Sequence, residues 1–171
     1  WLGLMLDVSR HFFTKQEVKR FIDLMAEYKY NVFHWHLSDD QGWRVEIKSL
    51  PRLTDVGAWR APRVGNWWER EPQSVTDSLT YGGFYTQDDI REVVEYARER
   101  FITVVPEIDV PGHSMALLTA YPEISCTGGP FHVNVGNTFY TKEENSLCVG
   151  KEKTFAILDM IFDELVDLFP S

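Results

Sequence analysis

The sequence is short of positive charge: 17 Lys and Arg stand against 26 Asp and Glu, a formal net charge of -9. No Lys/Arg cluster interrupts that balance, so nothing is available to displace counterions from phosphates, and nucleic acid and anionic membrane are excluded as partners. A long apolar run is missing as well. None approaches the ~18 residues of a membrane span, and the opening WLGLMLD has neither the basic stretch nor the cleavage site of a secretory leader. The chain starts almost inside a strand-like run, so it reads as a cut segment whose compartment stays open. Internal repeats and low-complexity tracts are absent. Cysteine is scarce: Cys126 and Cys148 alone flank a Gly-, Asn- and Thr-rich stretch, at a spacing that matches no zinc pattern. They are either one disulfide or two buried thiols. What is left is globular composition, 44% hydrophobic and 25% charged over 171 residues, which suits one domain with a sizeable core.

Short apolar strands alternate with amphipathic helices. GLMLDV (3–8) reads as a strand, and 14–28 as a helix whose stripe is Val18, Phe21, Ile22, Met25 and Tyr28, opened by a Thr14/Glu17 capping box. NVFHWHL (31–37) is a second strand. Residues 87–100 form a helix capped by Thr86 with Ile90, Val93, Val94 and Ala97 inward; FITVVPEIDV (101–110) is a third strand; and 151–169 is a helix carrying Phe155, Leu158, Phe162 and Leu165. This order is that of parallel α/β architecture. The segments after the helices are short, whereas 38–85 and 111–150 are long and follow strands, which places the working face at the strand C-termini.

Side-chain alternation narrows the architecture. Phe33, Trp35 and Leu37 oppose Val32, His34 and His36; Val104, Pro106 and Ile108 oppose Thr103, Val105, Glu107 and Asp109; and Gly3, Met5 and Asp7 share a face. One apolar face against helices and one polar face fits a barrel better than an open sheet covered on both sides. A (β/α)8 barrel takes about 250 residues and eight units. The expected fold is therefore an incomplete barrel: the first three βα units, strands 1–3 and helices 1–3, over residues 1–171.

The densest polar stretch is HWHLSDDQGWR (34–44). His34 and His36 project to one side of a strand, as paired imidazole ligands do, and Glu107, Asp109 and His113 could complete a metal site; the alternative is histidines hydrogen-bonded to carboxylates inside the barrel. In EIDVPGH, Asp109 ends a strand and Pro111-Gly112 turns the chain so that His113 opens the next segment, where it could relay a proton. Arg10 follows the first strand, placed to fork onto a carboxylate or vicinal hydroxyls, or else to form a surface salt bridge. Trp43, Trp59, Trp67, Trp68, Tyr81, Phe84 and Tyr85 offer either sugar-stacking faces or a loop mini-core. Asp163-Glu164 reads as the solvated face of the last helix.

Four blocks, GLMLDVSRHF, NVFHWHLSDDQGWRVEIKSLPRLTDVGAW, GGFYTQDDIREVVEYARER and VVPEIDVPGHS, together resemble the catalytic domain of glycoside hydrolase family 20, the β-N-acetylhexosaminidases, in the same order and over nearly the whole chain. The resemblance implies removal of terminal β-linked N-acetylglucosamine or N-acetylgalactosamine with retention, the substrate's own 2-acetamido group acting as nucleophile, without metal or other cofactor. The partners it implies are N-acetylhexosamine-terminated glycans or chitooligosaccharides. It assigns Arg10 to the sugar's C3 and C4 hydroxyls, Asp39 and His113 to a relay supporting the general acid, and Asp109 to a carboxylate behind the acetamido-orienting aspartate. It also suggests a secreted, periplasmic or lysosomal protein. The family's own Asp-Glu pair follows a Gly-Gly turn after a fourth strand; Asp163-Glu164 lacks that turn, so the isolated 171 residues are expected to be inactive. Two other readings stay open: a metal-dependent barrel hydrolase using His34 and His36, and a glycan-binding module without turnover. Unpaired barrel edges would favour self-association.

Overall fold

The computed structural model describes residues 1–66, 70–136 and 145–170. Strand β1 (Gly3–Asp7) leads into helix α1 (Lys15–Glu27), and β2 (Val32–Asp39) turns back on itself in a short antiparallel β3 (Gly42–Trp43). A one-turn helix α2 (Arg52–Asp55) and a two-stranded ribbon, β4 (Trp59–Arg60) with β5 (Tyr81–Gly82), occupy the long segment before helix α3 (Gln87–Arg98). Then come β6 (Thr103–Ile108), α4 (Met115–Ala120), a 3-10 turn at Pro122–Ile124, and α5 (Glu152–Leu168). The parallel strands lie in the order β1-β2-β6, each new strand added beside the last, as in a barrel wall.

The helix starts form where the sequence places them. Thr14 and Thr86 each accept the N–H three residues on, while Glu17 and Asp89 accept back from the cap backbone. Phe33, Trp35 and Leu37 are fully buried against Val18, Ile22 and Met25 of α1 and Ile90, Val93 and Ala97 of α3. Tyr28 departs from the expected stripe: it caps α1 from outside and is exposed. The inward face of α5 also differs from the sequence reading. Thr154, Ile157, Ile161, Leu165 and Leu168 are buried, whereas Phe155 and Phe162 are 48% and 43% exposed. Glu164 is not on a solvated face either. Its carboxylate accepts the N–H groups of Lys48 and Ser49 at 2.7 and 2.8 Å and the Gln87 side-chain amide at 2.6 Å, tying α5 to the loop after β3 and to the start of α3.

Two of the aromatics in segment 38–85 belong to the core and three more, Trp59, Tyr81 and Phe84, are half-buried. Trp43 and Tyr85 are buried, Tyr85 packs on Trp35 with ring centroids 4.8 Å apart, and Trp59 donates to Thr54 O at 3.0 Å. Phe84 is half-buried, and Trp67 and Trp68 lie outside the described residues. Cys126 and Cys148 form a disulfide, closing the loop between the 3-10 turn and α5. On the opposite face of the sheet, Met5, His34 and Val105 form one cross-strand row and Asp7, His36 and Glu107 the next. That second face is the polar one, and its Met5 and Val105 are 53% and 45% exposed.

Candidate active site

The site grows from the C-terminal ends of the parallel strands. Register sets Asp7, His36 and Glu107 side by side, and a bulge between His36 and Ser38 lets β2 swing Asp39 onto the rim. Asp39 is 1% exposed and accepts three hydrogen bonds, with an arginine as a fourth, ionic neighbour. Oδ1 accepts the Asp40 N–H at 2.7 Å and His113 Nδ1 at 3.0 Å; Oδ2 accepts His36 Nε2 at 2.9 Å and forms an ion pair with Arg10 Nη2 at 2.7 Å. A carboxylate has about four lone-pair positions, and three of these are engaged by aligned donors. Burial pushes its pKa up, but His36, Arg10, the Asp40 amide and His113 outweigh burial and hold it below the usual carboxylate range.

Its neighbours titrate the other way. Burial, reinforced by the adjacent Asp39 charge, holds the Asp40 carboxyl above its usual range; Asp40 accepts the Met115 N–H at 3.1 Å and so anchors the start of α4. Asp109 is likewise raised by burial and by Asp39, and its own N–H donates to Ser38 Oγ at 3.0 Å. Three carboxyls at one rim thus separate into one firmly ionised group and two that hold protons more readily.

His113 reaches Asp39 because the Pro111-Gly112 turn brings it to φ 52°, a left-handed conformation that side chains other than Gly, Asn and Asp seldom adopt. Burial lowers its pKa, but the hydrogen bond to Asp39 together with the charges of Asp39, Asp40 and Asp109 raises it above the usual histidine value. With Nδ1 committed to Asp39 and the side chain 54% exposed, Nε2 has no partner among the described residues and faces the open rim. Arg10 spans two carboxylates, Nη1 to Asp7 at 2.6 Å and Nη2 to Asp39 at 2.7 Å, and stays 38% exposed.

The paired histidines are each hydrogen-bonded to a carboxylate, the alternative the sequence left open beside a ligand pair. His34 Nε2 and His36 Nδ1 converge on the same oxygen, Glu107 Oε2, at 2.5 and 2.7 Å, the second contact being close but poorly aligned for a hydrogen bond. Burial opposes protonation of His36, yet Asp39 and Glu107 raise its pKa to about 9. Two other sets, His36/Asp39/Asp109 and Asp39/Asp40/His113, bring donor atoms within 4.8 Å of one another. Both need Asp39, so a cation there would have to displace one of the groups already bound to it.

Two arginines that sequence reasoning passed over complete the rim. Arg44 is fully buried and donates to the carbonyls of Val8, Ala58, Gly83 and Ser9 at 2.6–3.0 Å, with Gln41 O at 3.5 Å. Gly42 makes room for it: a Cβ there would fall 2.3 Å from the guanidinium carbon. Arg60 lies on β4, 3% exposed, stacked over the Tyr81 ring at 4.3 Å and donating to Arg10 O at 2.9 Å. The only signal for either was a charged residue beside a Gly or Trp in a long loop.

The chain is similar to known proteins over its whole length. The chain is 48% identical to the β-hexosaminidase of Vibrio furnissii, over 99% of the chain and 27% of that protein. It is 44% identical to the β-hexosaminidase of Porphyromonas gingivalis, over 98% of the chain and 20% of that protein. A mutant Streptomyces plicatus β-hexosaminidase in complex with its product, N-acetylglucosamine, superposes with a TM-score of 0.83 at 43% identity, over 100% of the chain and 31% of that structure. The chain thus spans less than a third of each of these relatives, and the part it matches contains the Asp39 rim. Residues 1–171 match the catalytic domain of glycosyl hydrolase family 20, and the chain belongs to that family.

Proposed function

We propose that residues 1–171 are the first three βα units of a β-N-acetylhexosaminidase barrel. The parent protein removes terminal, non-reducing, β-linked N-acetylglucosamine or N-acetylgalactosamine from glycans or chitooligosaccharides. The observation that carries this reading is the buried Asp39 holding His113 by Nδ1, with the His113 side chain 54% exposed and its Nε2 without a partner among the described residues. A carboxylate buried beneath three hydrogen bonds and an arginine is not placed to attack substrate. It is a positioning group, fixing the tautomer and cationic tendency of His113, which passes that bias to a general acid.

The remaining roles follow from the same contacts. Arg10 uses one N–H toward each of Asp7 and Asp39, and its other donors face the rim, where vicinal C3 and C4 hydroxyls could accept them. Asp109, with its pKa raised, suits a hydrogen-bond donor to a second carboxylate that orients the acetamido group. In the substrate-assisted scheme the acetamido oxygen bonds to C1 as the glycosidic oxygen leaves with a proton from the acid, and water then opens the ring so formed with net retention. No cofactor enters these steps. Among 171 residues the one adjacent Asp-Glu pair is Asp163-Glu164, and Glu164 is bound to backbone on the far side of the sheet's helices. The isolated segment is therefore inactive in this reading. The disulfide favours an oxidising setting, in keeping with a secreted, periplasmic or lysosomal protein.

The test compares the full-length protein with the isolated segment on 4-nitrophenyl N-acetyl-β-glucosaminide. Release of nitrophenol by the full-length protein, with none above background from the segment, is expected. Turnover by the segment within a few tenfold of full length would overturn the division of labour, and none from either would overturn the activity.

A further inference from the structure

The polar face continues inward behind Asp39. His36, 5% exposed, lies between two carboxylates: its Nε2 is 2.9 Å from Asp39 Oδ2 and its Nδ1 2.7 Å from Glu107 Oε2. A neutral imidazole has one N–H and one lone pair. Whichever nitrogen carried the lone pair would press it against a carboxylate oxygen at one of these distances. Both nitrogens therefore carry protons, and His36 is a buried cation. Glu107 is suited to face it: burial raises its pKa, but His36 and then His34, whose Nε2 meets the same Oε2 at 2.5 Å, hold it below the usual carboxylate range.

Strand register produces this line. His36 of β2 is paired with Glu107 of β6 on one side and with Asp7 of β1 on the other. Asp109 lies just past the end of β6, with a carboxylate oxygen within 4.8 Å of a His36 ring nitrogen. Arg10 and His113 meet Asp39 from the segments after β1 and β6. Among the described residues only Asp39 and Glu107 come within ion-pair distance of the His36 ring. Asp39 thus answers to two cations of different kinds. Arg10 keeps its charge at any working pH. His36 keeps its own, against burial, through Asp39 and Glu107 with Asp7 behind them.

We infer that Glu107 is a positioning residue for the reaction: by keeping the charge on His36, it sets how much of the Asp39 charge reaches His113. The roles proposed above use the outer two members of the line Glu107, His36, Asp39, His113, and the inference adds the inner two. It rests on the proposed hexosaminidase activity. Without the Glu107 charge, His36 sheds its proton at a lower pH. It can then still donate one N–H to Asp39 but no longer neutralises it, so His113 is pulled harder toward its cationic form and the acid it supports holds its own proton less readily. The loss falls on the alkaline side.

The experiment reads kcat/KM for 4-nitrophenyl N-acetyl-β-glucosaminide against pH in the full-length protein and in Glu107→Gln, which keeps size and an acceptor but not the charge. The ratio of variant to parent should be highest on the acid side, where His36 is protonated in both. It should fall by about tenfold toward pH 9, the lower end of what losing the partner behind a working histidine costs, as His36 loses its proton in the variant ahead of the parent. Anchoring each protein to its own value on the acid side cancels a lower folded fraction, and a merely structural glutamate would lower the rate by one factor at every pH. Glu107→Asp, which keeps the charge but gives up a methylene, should show a smaller fall in the same direction and carries the test should the glutamine variant not accumulate. In a His36→Gln background, Glu107→Gln should add no pH dependence. With an active parent, a flat ratio in the variants overturns the inference, and a fall that persists once His36 is replaced overturns the route through His36. No turnover by the parent at any pH is a different result: it overturns the activity, and the inference with it.

Discussion

Asp39 concentrates the chemistry of the rim in one side chain, and its contacts determine what a substitution there does. Asp39→Asn removes the charge that Arg10 pairs with and replaces one acceptor oxygen by a donor, so either the His36 contact or the His113 and Asp40 amide contacts lose their acceptor. In the full-length protein kcat/KM should drop by about 10²-fold, the lower end of what general acid–base support contributes. The acid limb of its pH profile should shift as well, because His113 loses the charge that raises its pKa. An unchanged profile with a small rate loss would reduce Asp39 to packing. His36 gives a second prediction. Its folded pKa of about 9 lies above its ordinary 6.5, through Asp39 and Glu107 with Asp7 nearby, so protonated His36 stabilises the fold. That contribution is complete below pH 6.5 and disappears as pH rises through about 9. His113 is raised too and acts in the same direction. The comparison is therefore the fall in unfolding temperature from pH 6 to 9, which should be smaller in His36→Gln than in the parent; equal falls would exclude His36.

At the scale of elements, most of the framework was legible because strands and amphipathic helices write their periods locally. The capping boxes at Thr14 and Thr86 and the buried Phe33, Trp35 and Leu37 follow from a few adjacent residues. Helix α5 shows where that logic stops. It carries apolar residues on two sides; of the expected Phe155, Leu158, Phe162 and Leu165, Leu165 is buried and Leu158 packs on the core, but packing selects Ile157 and Ile161 over Phe155 and Phe162. Glu164 was misread for a related reason: its partners Lys48 and Ser49 are 116 and 115 residues away, beyond any local pattern. Asp39 entered the sequence reading through the family resemblance and not through a local pattern, and Arg44 and Arg60 did not enter it, since their acceptors are backbone carbonyls with no sequence signature. Removing the Glu164 carboxylate leaves two backbone N–H groups and the Gln87 amide to water or to nothing. Glu164→Ala should destabilise by about 1–3 kcal/mol in urea unfolding, the range for losing charge-assisted bonds at a partly buried site. A change below about 0.5 kcal/mol, the level of an ordinary surface substitution, would return it to the solvated face first expected.

For the molecule as a whole, the sheet has one finished face and one open one. Parallel strands are ordinarily covered on both sides, yet Met5 and Val105 of the second face stand 53% and 45% exposed, and on the other face Leu4 of the edge strand β1 is 37% exposed. The isolated segment should therefore associate. Light scattering after size exclusion at micromolar concentration is expected to show oligomers or precipitate, with a shift toward monomer on placing Lys at positions 5 and 105; a clean monomer from the unaltered segment would dispose of the idea.

Arg44 has a consequence of another kind. The long excursion between β4 and β5 leaves and rejoins the body of the protein at Ala58 and Gly83, and one nitrogen, Arg44 Nη1, holds both carbonyls at 2.7 and 3.0 Å. The two feet of the loop are thus stapled from below, whatever lies between them. Such an arrangement uncouples loop length from rim geometry, so insertions or exchanges within 64–79 are expected to leave the spacing of the strand ends beneath unchanged.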